Sequence, residues 1–186
     1  MKTSGADLTQ DHEIMQSVKN GDIHKLGQLF DKYSKSLYNY FKLQIRDSST
    51  SEDLVQNVFY SILKYRKTFK EGADFRTWMY TIARNEKIKF FKGRKFSGKD
   101  AYSKPSEIDN NTPEADLVYK VNVNQLREAL DGISPDNREL IILNRFTGLS
   151  YSQISEILGC GIGALKVRMH RAIRELKDQF HKVSGE

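Results

Sequence analysis

Apolar residues at three- and four-residue steps run through almost all of this 186-residue chain and stop once, between Phe96 and Thr112. That spacing lays one stripe of a helix against a core, and no segment shows the strict alternation of a half-buried strand. The interruption, SGKDAYSKPSEIDNNTP, is polar and rich in Gly, Pro, Ser and Asn, the composition of a linker. The expected fold is therefore all-α: two small helical domains joined by a flexible linker. The first domain spans 1–95, the linker 96–112 and the second domain 113–186.

Punctuation residues divide each domain further. Residues 1–10 read as a frayed tail, and a short helix from Asp11 stops at Asn20-Gly21. A second helix runs from near Asp22 to Arg46, with Leu26, Leu29, Phe30, Tyr33, Leu37, Tyr38, Phe41 and Ile45 on one face. Thr50, followed three residues on by Asp53, is expected to cap the third, which reaches about Phe69. The fourth starts at Phe75 and fades at Gly93. In the second domain a helix ends at Gly132, and Ser134-Pro135 restarts the chain with an N-cap serine and a first-turn proline. Gly148 stops that helix. Ser150 and Gln153 form a capping box for a short helix, Tyr151 to Leu158. Gly159-Cys160-Gly161 then turns the chain into a last helix, Ile162 to about Phe180.

Two of these helices carry faces suited to a polyanion. On a helical wheel Phe75, Trp78, Met79, Ile82 and Ala83 share one arc, while Arg76, Thr77, Tyr80, Thr81, Arg84 and Lys87 share the opposite one. Cations meet phosphates and rings stack on exposed bases, so that outer arc suits a single strand. The short helix, glycine turn and long basic helix near the C-terminus are the pattern of a helix-turn-helix. Gly163, Lys166, Val167 and His170 lie near the start of its outer face, Arg168 flanks it, and Arg171 and Arg174 follow. Charge is distributed to match: residues 84–104 carry a net +6 and 166–186 a net +3, separated by an acidic span, 105–165, of net −5. Two basic blocks imply two contacts on one polyanion.

Other classes find little support. A lone cysteine, Cys160, excludes an internal disulfide, and the four histidines show no ligand spacing with it. Cys160 and His170 stand about two and a half turns apart, too far for a nucleophile and its base. No catalytic residue, cofactor, metal or small-molecule substrate is expected. The N-terminal residues lack the apolar segment of a signal peptide, and no apolar run approaches a membrane span, so a cytoplasmic setting is expected.

The segments LGQLFDKYSKSLYNYF, SEDLVQNVFYSILK, FRTWMYTIARN and the run from Ile133 to Leu176 resemble the extracytoplasmic-function sigma factors of bacterial RNA polymerase. The resemblance covers nearly the whole chain, in order, with the linker in place. It implies a sigma factor that binds core RNA polymerase and directs promoter-specific initiation, with an anti-sigma factor as a further partner. By the same resemblance Asp53, Leu54, Gln56, Asn57 and Phe59 dock on the polymerase clamp. Phe69, Arg76, Trp78, Tyr80, Ile82, Arg84, Asn85 and Lys87 read and melt the −10 element, with a flipped base held by Phe69, Ile82 and Asn85. Gly163, Lys166, Val167, Arg168, His170, Arg171 and Arg174 read the −35 duplex. The chain has Asn57 where the family usually has an acidic residue, and CGIGALKVR where many members start the helix with a Ser-Glu-Gly-Thr type of sequence. Glu107, Asp109, Glu114 and Asp116 in and after the linker are expected to mimic nucleic acid in the polymerase cleft. The alternatives are a helix-turn-helix regulator that acts without core polymerase, and a decoy that binds an anti-sigma factor but no promoter.

Overall fold

The structure, a computed structural model, describes residues 5–96 and 117–185. The linker and the four acidic residues expected to act in it lie almost wholly outside the described residues. Helices α1 (Gly5–Lys19), α2 (Leu26–Ile45), α3 (Ser48–Tyr65) and α4 (Phe75–Phe96) form the first half. Helices α5 (Leu117–Asp131), α6 (Pro135–Ile141), α7 (Tyr151–Leu158) and α8 (Ile162–Ser184) form the second. Single 3-10 turns at Ile23–Lys25 and Arg66–Thr68 lead into α2 and out of α3. No strand occurs among the described residues.

The helices form where the apolar stripes lie. Leu29, Leu37 and Phe41 of α2, Val58 and Ile62 of α3, and Phe75, Met79 and Ala83 of α4 are fully or almost fully buried together. Met15 and Val18 seal that core from α1, which begins at Gly5, six residues before the sequence suggests. In the second half Leu140 to Leu143, Ile154, Leu165, Met169 and Ala172 make the corresponding core. Ile162 is exposed at the first turn of α8.

Capping residues set most of the boundaries. Ser134 accepts from the Asn137 amide with Pro135 in the first turn, and Ser150 and Gln153 complete the reciprocal capping box. Gly159, at φ +66°, ends α7 in the left-handed region that glycine adopts freely. The N-cap of α3 differs from the sequence expectation. Asp47, not Thr50, is the cap: its carboxylate accepts from the Thr50 amide at 2.7 Å. Asp47 can accept there because Arg46 ends α2 in the left-handed region and leaves Asp47 extended. Helix α6 passes directly into a π-helical turn, Ile142–Phe146, before Gly148; the same apolar stripe continues through it. Helix α4 runs past Gly93 to Phe96, and α8 past Phe180 to Ser184.

Replacing Asp47 with Ala should cost about 1 kcal/mol in urea unfolding, with Asp47→Ser retaining most of it. The hydrogen bonds from Thr50 hold the Asp47 carboxyl below its usual value of 3.8. Its contribution is therefore present at neutral pH and is lost as pH falls through that lowered value, so the deficit of the Ala variant should close in acid.

Candidate nucleic-acid interface

Helix α4 has three working faces. One is the core face. The second follows Trp78, Ile82, Asn85 and Lys89, residues three or four apart. Beside it, Tyr65 at the end of α3 completes a cavity of about 350 Å³ lined by Tyr65, Ile82, Asn85, Glu86, Ile88 and Lys89. Asn85 is exposed, and Tyr65 is partly so. The Glu86 carboxylate accepts from Ser61 at 2.9 Å and from Lys89 at 2.7 Å, which fixes it at the cavity wall. This cavity offers an apolar floor, a ring, an amide and a carboxylate.

Phe69 does not line it. Its ring is fully buried and packs between Trp78 at 5.2 Å, His12 at 5.4 Å and Phe75 at 6.3 Å. Backbone geometry explains the exchange. Beyond Tyr65 the chain tightens into the 3-10 turn, and Phe69 follows in extended conformation, turned into the core. Tyr65 is thus the aromatic wall that sequence spacing missed; its place just before the turn was the available signal.

The third face holds Arg76, Thr77, Tyr80, Arg84 and Lys87, expected to be the outer one. It is covered by the second half. Arg76, Thr77, Tyr80 and Lys87 are buried and Arg84 is half-buried. Arg76 donates to the Thr147 carbonyl, and Gln153 donates to Asp74 at 2.9 Å. At the other end of the face, Glu139 of α6 accepts from Lys87 at 2.6 Å and from Tyr40 at 2.7 Å, with Arg84 at 3.5 Å. Gln44 takes a further Lys87 hydrogen bond at 2.6 Å. Burial lowers the Lys87 ammonium, partly offset by Glu139. Burial also works to raise the Glu139 carboxyl, but Lys87, Tyr40 and Arg84 outweigh it and hold the group below the usual carboxylate range. Burial and the adjacent carboxylate push the Tyr40 phenol up, so it stays a donor. The cations on this arc look solvated in sequence because the residues that cover them lie far along the chain. Glu139, a carboxylate at the start of the apolar run Leu140–Leu143, was the legible hint.

The remaining candidates divide between surface and core. On α3, Asp53, Gln56 and Asn57 are exposed while Leu54 and Phe59 are buried beneath them. Tyr60, unassigned in the sequence, is 68% exposed on the same helix. Gln56 also borders a shallow groove of about 380 Å³ with Phe30, Tyr38 and Val55. On α8, Gly163, Lys166, Val167, His170, Arg171 and Arg174 are all exposed. Arg168 is not part of that open row: its Nε donates to Asn137 at 3.2 Å and its guanidinium lies 3.6 Å from Asp136, tying α8 to α6.

Comparison with known proteins follows this geometry. The family model Sigma-70 region 2 matches residues 29–96, and Sigma-70, region 4 matches residues 124–176. The ECF RNA polymerase sigma factor EcfG of Rhodopseudomonas palustris is 30% identical, over 70% of this chain and 71% of its own. The ECF RNA polymerase sigma factor BldN of Streptomyces coelicolor is 29% identical over 88% of this chain, which spans 63% of that relative's length. Among solved structures, the sigma factor RpoE in complex with the anti-sigma factor NepR from Bartonella quintana superposes with a TM-score of 0.65 and 27% identity, over 82% of this chain and 94% of that one. The fold and its exposed faces define a promoter-recognising initiation factor of the sigma-70 class. The chain belongs to the family of ECF RNA polymerase sigma factors.

Because Phe69 is core, Phe69→Ala should lower stability by about 3–5 kcal/mol in chemical denaturation. Tyr65→Ala, at a partly exposed position, should cost under about 1 kcal/mol.

Proposed function

We propose that the chain binds core RNA polymerase through the exposed edge of α3, holds a flipped base of the −10 strand in the Tyr65–Asn85 cavity, and reads the −35 duplex with the outer row of α8. The observation that carries this reading is the cavity. It is large enough for one base, has a ring to stack on, and opens between two helices that lie within the residues matching Sigma-70 region 2. Unstacking a base costs a few kcal/mol, and stacking on Tyr65 with hydrogen bonds to Asn85 offsets that cost. The Glu86 carboxylate accepts only, so it favours a base that presents an exocyclic amino group. On this reading 1–95 is the −10 and docking domain, 96–112 the linker and 113–186 the −35 domain. By analogy with the Bartonella relative, an anti-sigma factor is the expected external control.

On α3, Asp53, Gln56, Asn57 and Tyr60 form the docking edge, with Leu54 and Phe59 setting the helix beneath them. On α8, Arg171 and Arg174 supply phosphate or guanine contacts, and Gly163, Lys166, Val167 and His170 face the groove. Arg168 acts by holding α8 against α6. No helix among the described residues is long and apolar enough to cross a membrane.

The test is initiation by core polymerase on a promoter library, with strand opening followed by permanganate reactivity. Asn85→Ala and Tyr65→Ala should reduce opening at least tenfold while closed-complex binding changes by less than threefold; equal losses in both would contradict a base pocket. Glu86→Gln should relax preference for the flipped base by roughly 1–3 kcal/mol, measured by competition between promoter variants. Arg171→Ala and Arg174→Ala should each lower the salt slope of −35 duplex binding by about 1. An unchanged slope would remove them from the phosphate contacts.

A further inference from the structure

The cavity between α3 and α4 is lined by one carboxylate, Glu86, and half of that carboxylate is already in use. Ser61 of α3 donates to Oε1 of Glu86 at 2.9 Å, and Lys89 donates to the same oxygen at 2.7 Å. A carboxylate oxygen has two lone-pair sites, so Oε1 is saturated. Among the described residues Oε2 accepts no hydrogen bond. Ser61 is buried one turn before Tyr65 on α3, and Lys89 lies one turn after Asn85 on α4. The two donors thus come from the two walls of the cavity and hold the carboxylate between them. The Glu86 side chain is 12% exposed and that of Lys89 60%. A ligand in the cavity therefore meets a single free acceptor oxygen whose neighbour is covered by donors. Asn85 beside it is exposed, and its amide can donate.

We infer that Ser61 and Lys89, by saturating one oxygen of Glu86, make the cavity accept adenine or cytosine and refuse guanine. The inference rests on the base-cavity reading above and deepens it. A flipped base is read on its Watson–Crick edge. Adenine and cytosine present there an amino group beside an unprotonated ring nitrogen. The amino group gives one N–H to Oε2, and the ring nitrogen accepts from Asn85. Guanine presents two adjacent N–H groups, which match a carboxylate only when both of its oxygens are free. Here the second N–H meets the Ser61 hydroxyl and the Lys89 ammonium, donor against donors, and an unpaired buried donor is costly. Thymine turns two carbonyls toward the anion. Lys89 has a second effect: a cation beside Glu86 offsets the repulsion between that carboxylate and the phosphates of the strand. Ser61 is a positioning residue, acting through Glu86.

The experiment uses the full chain with core polymerase. Promoters carrying 2-aminopurine at successive −10 positions first locate the base whose signal on opening depends on Tyr65. Promoters with each natural base at that position then compete for opening. The unaltered chain should open adenine and cytosine promoters about tenfold in preference to guanine and thymine. With Ser61→Ala and Lys89→Met together, guanine should rise to within about twofold of adenine while thymine stays behind, a gain that a misfolded variant cannot give. Ser61→Ala alone should give an intermediate rise. Ratios are taken within each variant, so a general loss of opening does not enter them. Guanine opened as well as adenine by the unaltered chain, no rise of guanine in the double variant, or an equal rise of thymine would each overturn the inference. If no position depends on Tyr65, the base-cavity reading itself fails and the inference with it. If one does and the ratios are wrong, only the inference fails.

Discussion

A carboxylate buried against an ammonium organises the meeting of the two halves. Glu139 and Lys87 are almost wholly withdrawn from water and lie 2.6 Å apart. Such a pair adds little net stability, because two desolvation costs oppose one attraction, yet removing one partner leaves the other charged and dry at a cost of about 3–5 kcal/mol. Its effect is therefore on specificity. It fixes which surface of the second half can lie on α4, and it fails sharply when either charge is taken away. Apolar packing alone would not behave so. Buried apolar residues of the two halves form one continuous cluster, and around it the polar contacts between the halves involve Arg46, Asp74, Arg76, Arg84, Lys87, Asp131, Glu139 and Gln153.

That arrangement divides α4 between two tasks. The face of Ile82 and Asn85 carries the cavity beside Tyr65, lined by residues of the first half alone. The face of Arg76, Tyr80, Arg84 and Lys87 is covered by the second half. The outer row of α8 points to solvent.

Much of the fold was legible because its signals are local. Ser134-Pro135 and the Ser150–Gln153 box act within one turn, and the structure uses both as the sequence suggests. Asp47 and Thr50 are both able caps three residues apart, and what decides between them is the left-handed Arg46, a conformation that no propensity would assign to arginine. The site was legible in part. Asn85 and Ile82 line the cavity, and the exposed row of α8 is where periodicity puts it. Periodicity failed on the outer arc of α4, because a wheel separates a helix's own core from everything else. It cannot tell water from a second domain. Phe69 was misplaced for a related reason: distance along the chain located the turn but not the direction of the side chain after it.

The central proposal is that the Tyr65–Asn85 cavity receives a base of the separated strand. Fluorescence of 2-aminopurine placed along the −10 strand tests it most directly, read in the open promoter complex with core polymerase. One position whose signal changes on opening, and loses that change with Tyr65→Ala, is the predicted result. The same signal with Tyr65→Ala would contradict it.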